Sequence, residues 1–90
     1  MNTRMTSVVV LAFSVMVVAP AVAGPTCTGK GDRLPEQEVQ KMYQEKGYQI
    51  KQWKVSRGGC YEIYGYLDGK RVEVYIDPWT GEELEKHVDS

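Results

Sequence analysis

The sequence is poorest in the residues that carry out chemistry: one histidine, His87, and two cysteines, Cys27 and Cys60, in 90 residues. A lone histidine beside Lys86 in a charged stretch supplies too few ligands for a metal centre and reads as part of a solvated tail. Ser56, Ser90 and the threonines stand in no recognisable nucleophile arrangement with a histidine or lysine. Glu82 and Glu83 are adjacent, so they point apart and offer little to acid–base catalysis. The cysteines lie far apart with no CxxC spacing, which disfavours a redox pair or a metal site without removing it as the competing reading. These shortages point away from an enzyme, and no cofactor is expected.

Charge of one sign is also scarce. From Gly24 onward the chain holds ten Lys+Arg and twelve Asp+Glu, a formal net charge of −2 with no long block of either sign. Nucleic acid and anionic membrane surfaces are therefore not favoured partners. The apolar run, Val8 to Val18, is roughly a dozen residues, short of the ~20 that span a bilayer. With Arg4 ahead of it and the small-x-small pattern Ala21-Val22-Ala23 behind, it reads as a signal peptide over residues 1–23, cleaved after Ala23. Gly24-Pro25-Thr26 lacks the residues a lipoprotein signal places before its cysteine. The expectation is a periplasmic or secreted protein with no stable membrane insertion after cleavage.

What is present fits one small domain. The 67 residues from Gly24 to Ser90 are too few for a large core, and chains of this size often need a staple. In an oxidising compartment, Cys27 and Cys60 are expected to form a disulfide; closing that loop is worth on the order of 3 kcal/mol in the chain-entropy model. Residues 24–33 have no apolar period and read as an extended arm tied down mainly by Cys27. Pro35 and the carboxylates of Glu36 and Glu38 mark a helix start. Val39, Met42, Tyr43 and Lys46 form one stripe at helical spacing, and Gly47 is a left-handed stop.

Three strands follow. Tyr48 to Val55 changes parity between Ile50 and Trp53, which suggests a bulge or a late start. Cys60 to Leu67 and Arg71 to Asp77 flank Asp68-Gly69, a strong hairpin signal. In the last of these, Val72, Val74 and Ile76 face one way and Arg71, Glu73, Tyr75 and Asp77 the other, as in a sheet covered on one side. The helix is the available cover. Asp77-Pro78-Trp79-Thr80-Gly81 reads as a turn held by local bonds from Asp77 and Thr80 rather than a calcium loop, with Glu82 to Leu84 as a short edge strand.

This order resembles the PepSY domain family, the peptidase-propeptide and YpeB-type domain. The residues that carry the likeness are Gly47-Tyr48, Gly59-Cys60-Tyr61-Glu62-Ile63, Asp68-Gly69-Lys70, Val72-Glu73-Val74-Tyr75-Ile76-Asp77 and Thr80-Gly81-Glu82, from about Leu34 to Leu84. The resemblance implies a cystatin-like arrangement, an α+β fold with one N-terminal helix on a three- to four-stranded antiparallel sheet in the order α-β-β-β(-β). It also implies a non-catalytic module that binds or restrains peptidases in the cell envelope. No protease domain follows in this sequence, so any such action is expected in trans. The domain is expected over residues 34–85, with a charged tail at 86–90.

Aromatic residues are the one surplus. If Tyr61 and Ile63 face the helix, Tyr64, Tyr66 and Tyr75 face away. Trp53, Tyr64, Tyr66, Tyr75, Trp79 and Arg71 are the candidate partner surface; cross-strand bracing of an exposed sheet is the competing reading. The expected function is an exported, non-catalytic protein-binding module, a modulator or inhibitor of an envelope peptidase. The alternative is a periplasmic domain that senses a small ligand or metal.

Overall fold

The computed structural model describes residues 24–89; the expected signal peptide over 1–23 and Ser90 lie outside them. One helix, α1 (Glu36–Glu45), precedes four strands: β1 (Gln49–Val55), β2 (Tyr61–Leu67), β3 (Lys70–Ile76) and β4 (Glu83–Asp89). They form one antiparallel sheet in chain order, β1-β2-β3-β4. The fold is the α+β arrangement expected, with four strands. Among the described residues, no helix is long and apolar enough to cross a membrane.

Local chemistry sets the ends of α1. Pro35, which precedes it, offers its carbonyl to the amides of Glu38 and Val39, and two acids occupy the first turn. At the other end Gly47 takes φ +99°. Its amide returns to the Gln44 carbonyl and that of Tyr48 to the Tyr43 carbonyl, both at 3.0 Å, a Schellman closure. The rings of Tyr43 and Tyr48 meet edge-on at 5.4 Å across it. Only ten residues long, the helix depends on docking. Val39 and Tyr43 are fully buried against Tyr61, Ile63, Val72, Val74 and Ile76, with Met42 and Trp53 at the margin. The Tyr43 hydroxyl donates to the Gly81 carbonyl at 2.8 Å, tying the helix to the turn before β4.

The parity change in β1 is a bulge. Ile50 pairs with Gly65 and Gln52 with Tyr64, leaving Lys51 as the extra residue. Gly65 is required there for space: a Cβ would strike the Gln49 carbonyl. Gly65→Ala is expected to displace β1 and cost roughly 1–3 kcal/mol, as overpacking does, read as a lower denaturation midpoint with an unchanged slope. The Asp68-Gly69 turn has both residues at positive φ, +52° and +77°, the geometry that matches strand twist. In the next turn the Asp77 side chain accepts from the Trp79 amide at 2.8 Å and Thr80 from the Glu82 amide at 3.2 Å, the local bonds expected of them.

Two expectations are corrected. The charged end is not a tail from residue 86: Glu83–Asp89 is a full edge strand, and His87 lies within it. Cross-strand complementarity offsets its poor strand propensity, for Arg71 pairs with Asp89, Glu73 with His87 and Val72 with Val88. Lys86 lays its ammonium 5.2 Å from the Tyr48 ring.

The helix is also not the sole cover. The arm crosses the opposite face of the sheet, where Cys27, Cys60 and Tyr75 form a second small buried cluster with Trp79 against it. Cys27 is not its main tie alone: the Cys27 amide donates to Gly58 at 2.8 Å, Trp79 Nε1 to the Gly31 carbonyl at 3.0 Å, and the Leu34 amide to Pro78 at 2.7 Å.

Candidate functional site

Alternation along the strands decides which side chains can meet a partner. The face away from α1 carries Glu62, Tyr64 and Tyr66 from β2, then Arg71, Glu73 and Tyr75 from β3. The arm covers the end of this face nearest the Cys27–Cys60 disulfide, which is formed as expected. The other end is uncovered by helix or arm.

The six candidate surface residues therefore separate. Tyr64, Tyr66 and Arg71 come together: Tyr66 and Arg71 are cross-strand partners, and with Tyr64, Gly65 and Lys51 they line a shallow cavity of about 150 Å³. Arg71 is exposed and both tyrosines are half-buried. Trp53 is on the other side of the sheet, where its indole donates to Glu36 Oε1 at 2.7 Å and its ring sits 5.1 Å from Tyr61. Tyr75 is buried in the disulfide cluster. Trp79 packs under the arm, with Gly29 against its ring and the Arg33 guanidinium 5.2 Å from its centroid.

Between the covered and uncovered ends lies a polar centre. Glu62, on β2, is 2% exposed. Its Oε2 makes no hydrogen bond, and Lys54 Nζ, on a half-exposed side chain, is 3.9 Å away. The hydroxyls of Tyr64 and Tyr75 both donate to Glu73 Oε1, at 3.2 and 2.6 Å. Burial pushes the Glu62 carboxyl above its ordinary range, and the Tyr64 hydroxyl and Lys54 oppose this only in part. Hydrogen bonding to Glu62, then burial, raises the Tyr64 phenol; burial, then the Glu73 bond, raises that of Tyr75. The two phenols, both raised, stay hydrogen-bond donors to the carboxylates beside them.

Residue order alone did not reveal this centre. Glu62 sits among Tyr61, Ile63 and Tyr64 and reads as one more outward polar position. The available signal was Cys60, which shares the parity of Glu62, so the disulfide and its arm had to lie on that face. Among the described residues, no group of three or more His, Cys, Asp or Glu could hold a metal ion.

A family model described as peptidase propeptide and YPEB domain matches residues 6–87. The chain belongs to this PepSY family. Members of the family are associated with peptidase propeptides or inhibitors and are generally non-catalytic modules. No curated protein and no solved structure matches the chain significantly.

Proposed function

We propose that this PepSY protein is an exported, non-catalytic binding module that modulates a peptidase in the cell envelope. The observation that carries the reading is the uncovered end of the sheet, where Tyr64, Tyr66 and Arg71 stand together outside both helix and arm. Aromatic and arginine side chains are the usual anchors of protein contacts, and a sheet face offers them on a rigid frame. Family membership supports a peptidase as the partner. The disulfide and the signal-like residues 1–23 support export. The generally non-catalytic character of the family supports a non-catalytic role, and His87 lies within β4 against Glu85 and the edge of Tyr75.

Addition of the purified mature protein to envelope or secreted peptidases is expected to change the activity of at least one, saturably. Tyr66→Ala and Arg71→Ala should each weaken that effect by roughly tenfold or more, with stability within about 0.5 kcal/mol of the parent. Peptidase activity that is unmoved by the parent protein, or moved equally by both variants, would count against the reading.

A further inference from the structure

Glu62 presents a carboxylate problem that the described residues do not solve. Oε2 is buried without a hydrogen bond, and Glu73 brings a second carboxylate into the same space. One loosely held ammonium, that of Lys54, stands 3.9 Å from Glu62 Oε2. An ionised carboxylate out of water is strongly unfavourable unless it is paired. A cavity of about 320 Å³ adjoins it, lined by Glu62, Tyr64 and Tyr75 together with Lys54 and Arg57.

The arm brings Gly24 to the same place. A Cβ at that glycine would stand 2.5 Å from Cε1 and Cζ of Tyr75 and 2.9 Å from its oxygen, which itself donates to Glu73 Oε1 at 2.6 Å. Residue 24 is thus one phenol away from the carboxylates. The Cys27 disulfide and the bond from the Cys27 amide to Gly58 hold it there.

We propose that the Glu62–Glu73 pair is the seat of the mature chain's own α-ammonium, created at Gly24 by cleavage after Ala23. This rests on the export reading above. Hydrolysis of the Ala23–Gly24 bond adds one water: the leader leaves with the new carboxyl, and Gly24 keeps an amine that takes a proton from solvent. A neutral amide becomes a compact cation with donors to spare. Two ammonium groups then face two carboxylates. The short tether gives the chain's own amine a high effective concentration that a basic side chain arriving from another molecule lacks.

The groups around the seat are Lys54 on β1, Arg57 in the following turn, Tyr64 on β2, Glu73 and Tyr75 on β3, and Glu85 and His87 on β4. An α-amine ordinarily titrates at about 7.7–8.0. Seated between carboxylates, its folded value rises. The stability it contributes is then complete below about pH 7.7 and is lost as pH rises through the folded value.

The test exports the full chain, reads the mature amino terminus by mass spectrometry, and follows the acylation rate of the α-amine from about pH 6 to about pH 10. The expected terminus is Gly24, with an amine that reacts about tenfold or more slowly than an exposed glycine amine near pH 8, a shift of at least about one unit. Glu62→Gln should restore the ordinary rate. Acetylating the Gly24 amine should lower Tm near pH 6 but not near pH 10, and should remove the effect of Glu62→Gln. The titration of the parent protein decides the matter even if that variant folds poorly. A chain cut before Gly24 whose amine titrates normally overturns this inference alone, including the case in which a basic partner peptide fills the cavity. A chain that keeps residues 1–23, or is cut elsewhere, overturns it as well, and retention removes the export reading with it.

Discussion

Reduction of Cys27–Cys60 is expected to lower Tm by roughly 12–24 °C. The bond spans 33 residues, and opening a loop of that size relieves the unfolded chain of a constraint worth on the order of 3 kcal/mol. In a domain of this length each kcal/mol moves Tm by roughly 4–8 °C. The structure adds a reason to expect the upper part of that range. Cys60 is fully buried, Cys27 nearly so, and with Tyr75 they make up the whole second cluster. Freeing the arm would uncover Tyr75 and loosen Trp79 from Gly31, so burial is lost along with the cross-link. The first cluster, from Val39 to Ile76, does not contain the cysteines and should still melt cooperatively. Thermal melts by circular dichroism with and without reductant, and of Cys27→Ser with Cys60→Ser, measure the effect. A curve that does not move would show that the bond contributes nothing.

Much of the fold was legible because its signals are local. The Asp68-Gly69 turn, the Gly47 stop, the Lys51 bulge and the stripe of Val39 and Tyr43 each follow from a few neighbouring residues. The disulfide followed from counting. Two things were not local. Strand β4 reads as charge, Glu-Leu-Glu-Lys-His-Val-Asp, and becomes a strand only because β3 presents Arg71 and Glu73 opposite Asp89 and His87. The arm has no period of its own, so nothing in residues 24–33 says which face it covers. Cys60 does say so, through its parity with Glu62 and Tyr64, and that clue joins residues more than thirty positions apart. The candidate surface contracted for the same reason. Trp53, Tyr75 and Trp79 look alike in sequence, yet one braces the helix and two serve the arm.

Ile63→Ala is expected to cost about 2–5 kcal/mol, the range for emptying a large aliphatic site in a core. Ile63 is fully buried at the middle of β2, paired with Trp53 on one side and Val74 on the other, below Val39 and Tyr43 of α1. Its neighbours cannot easily collapse into the space. Trp53 is anchored by its bond to Glu36, Tyr61 by a 2.7 Å bond to the Leu34 carbonyl, and Tyr43 by its bond to Gly81. A rigid lining keeps a cavity open, which places the cost towards the upper end. Tyr66→Ala, three residues along the same strand but on the uncovered face, should cost within about 0.5 kcal/mol. Urea denaturation of the two variants, with midpoints and slopes compared, separates the faces by their consequences: the helix side governs whether the sheet folds, and the other side governs what it meets. Equal losses at Ile63 and Tyr66 would mean that the uncovered face is packed in solution, and the partner reading of Tyr64, Tyr66 and Arg71 would fall with that result.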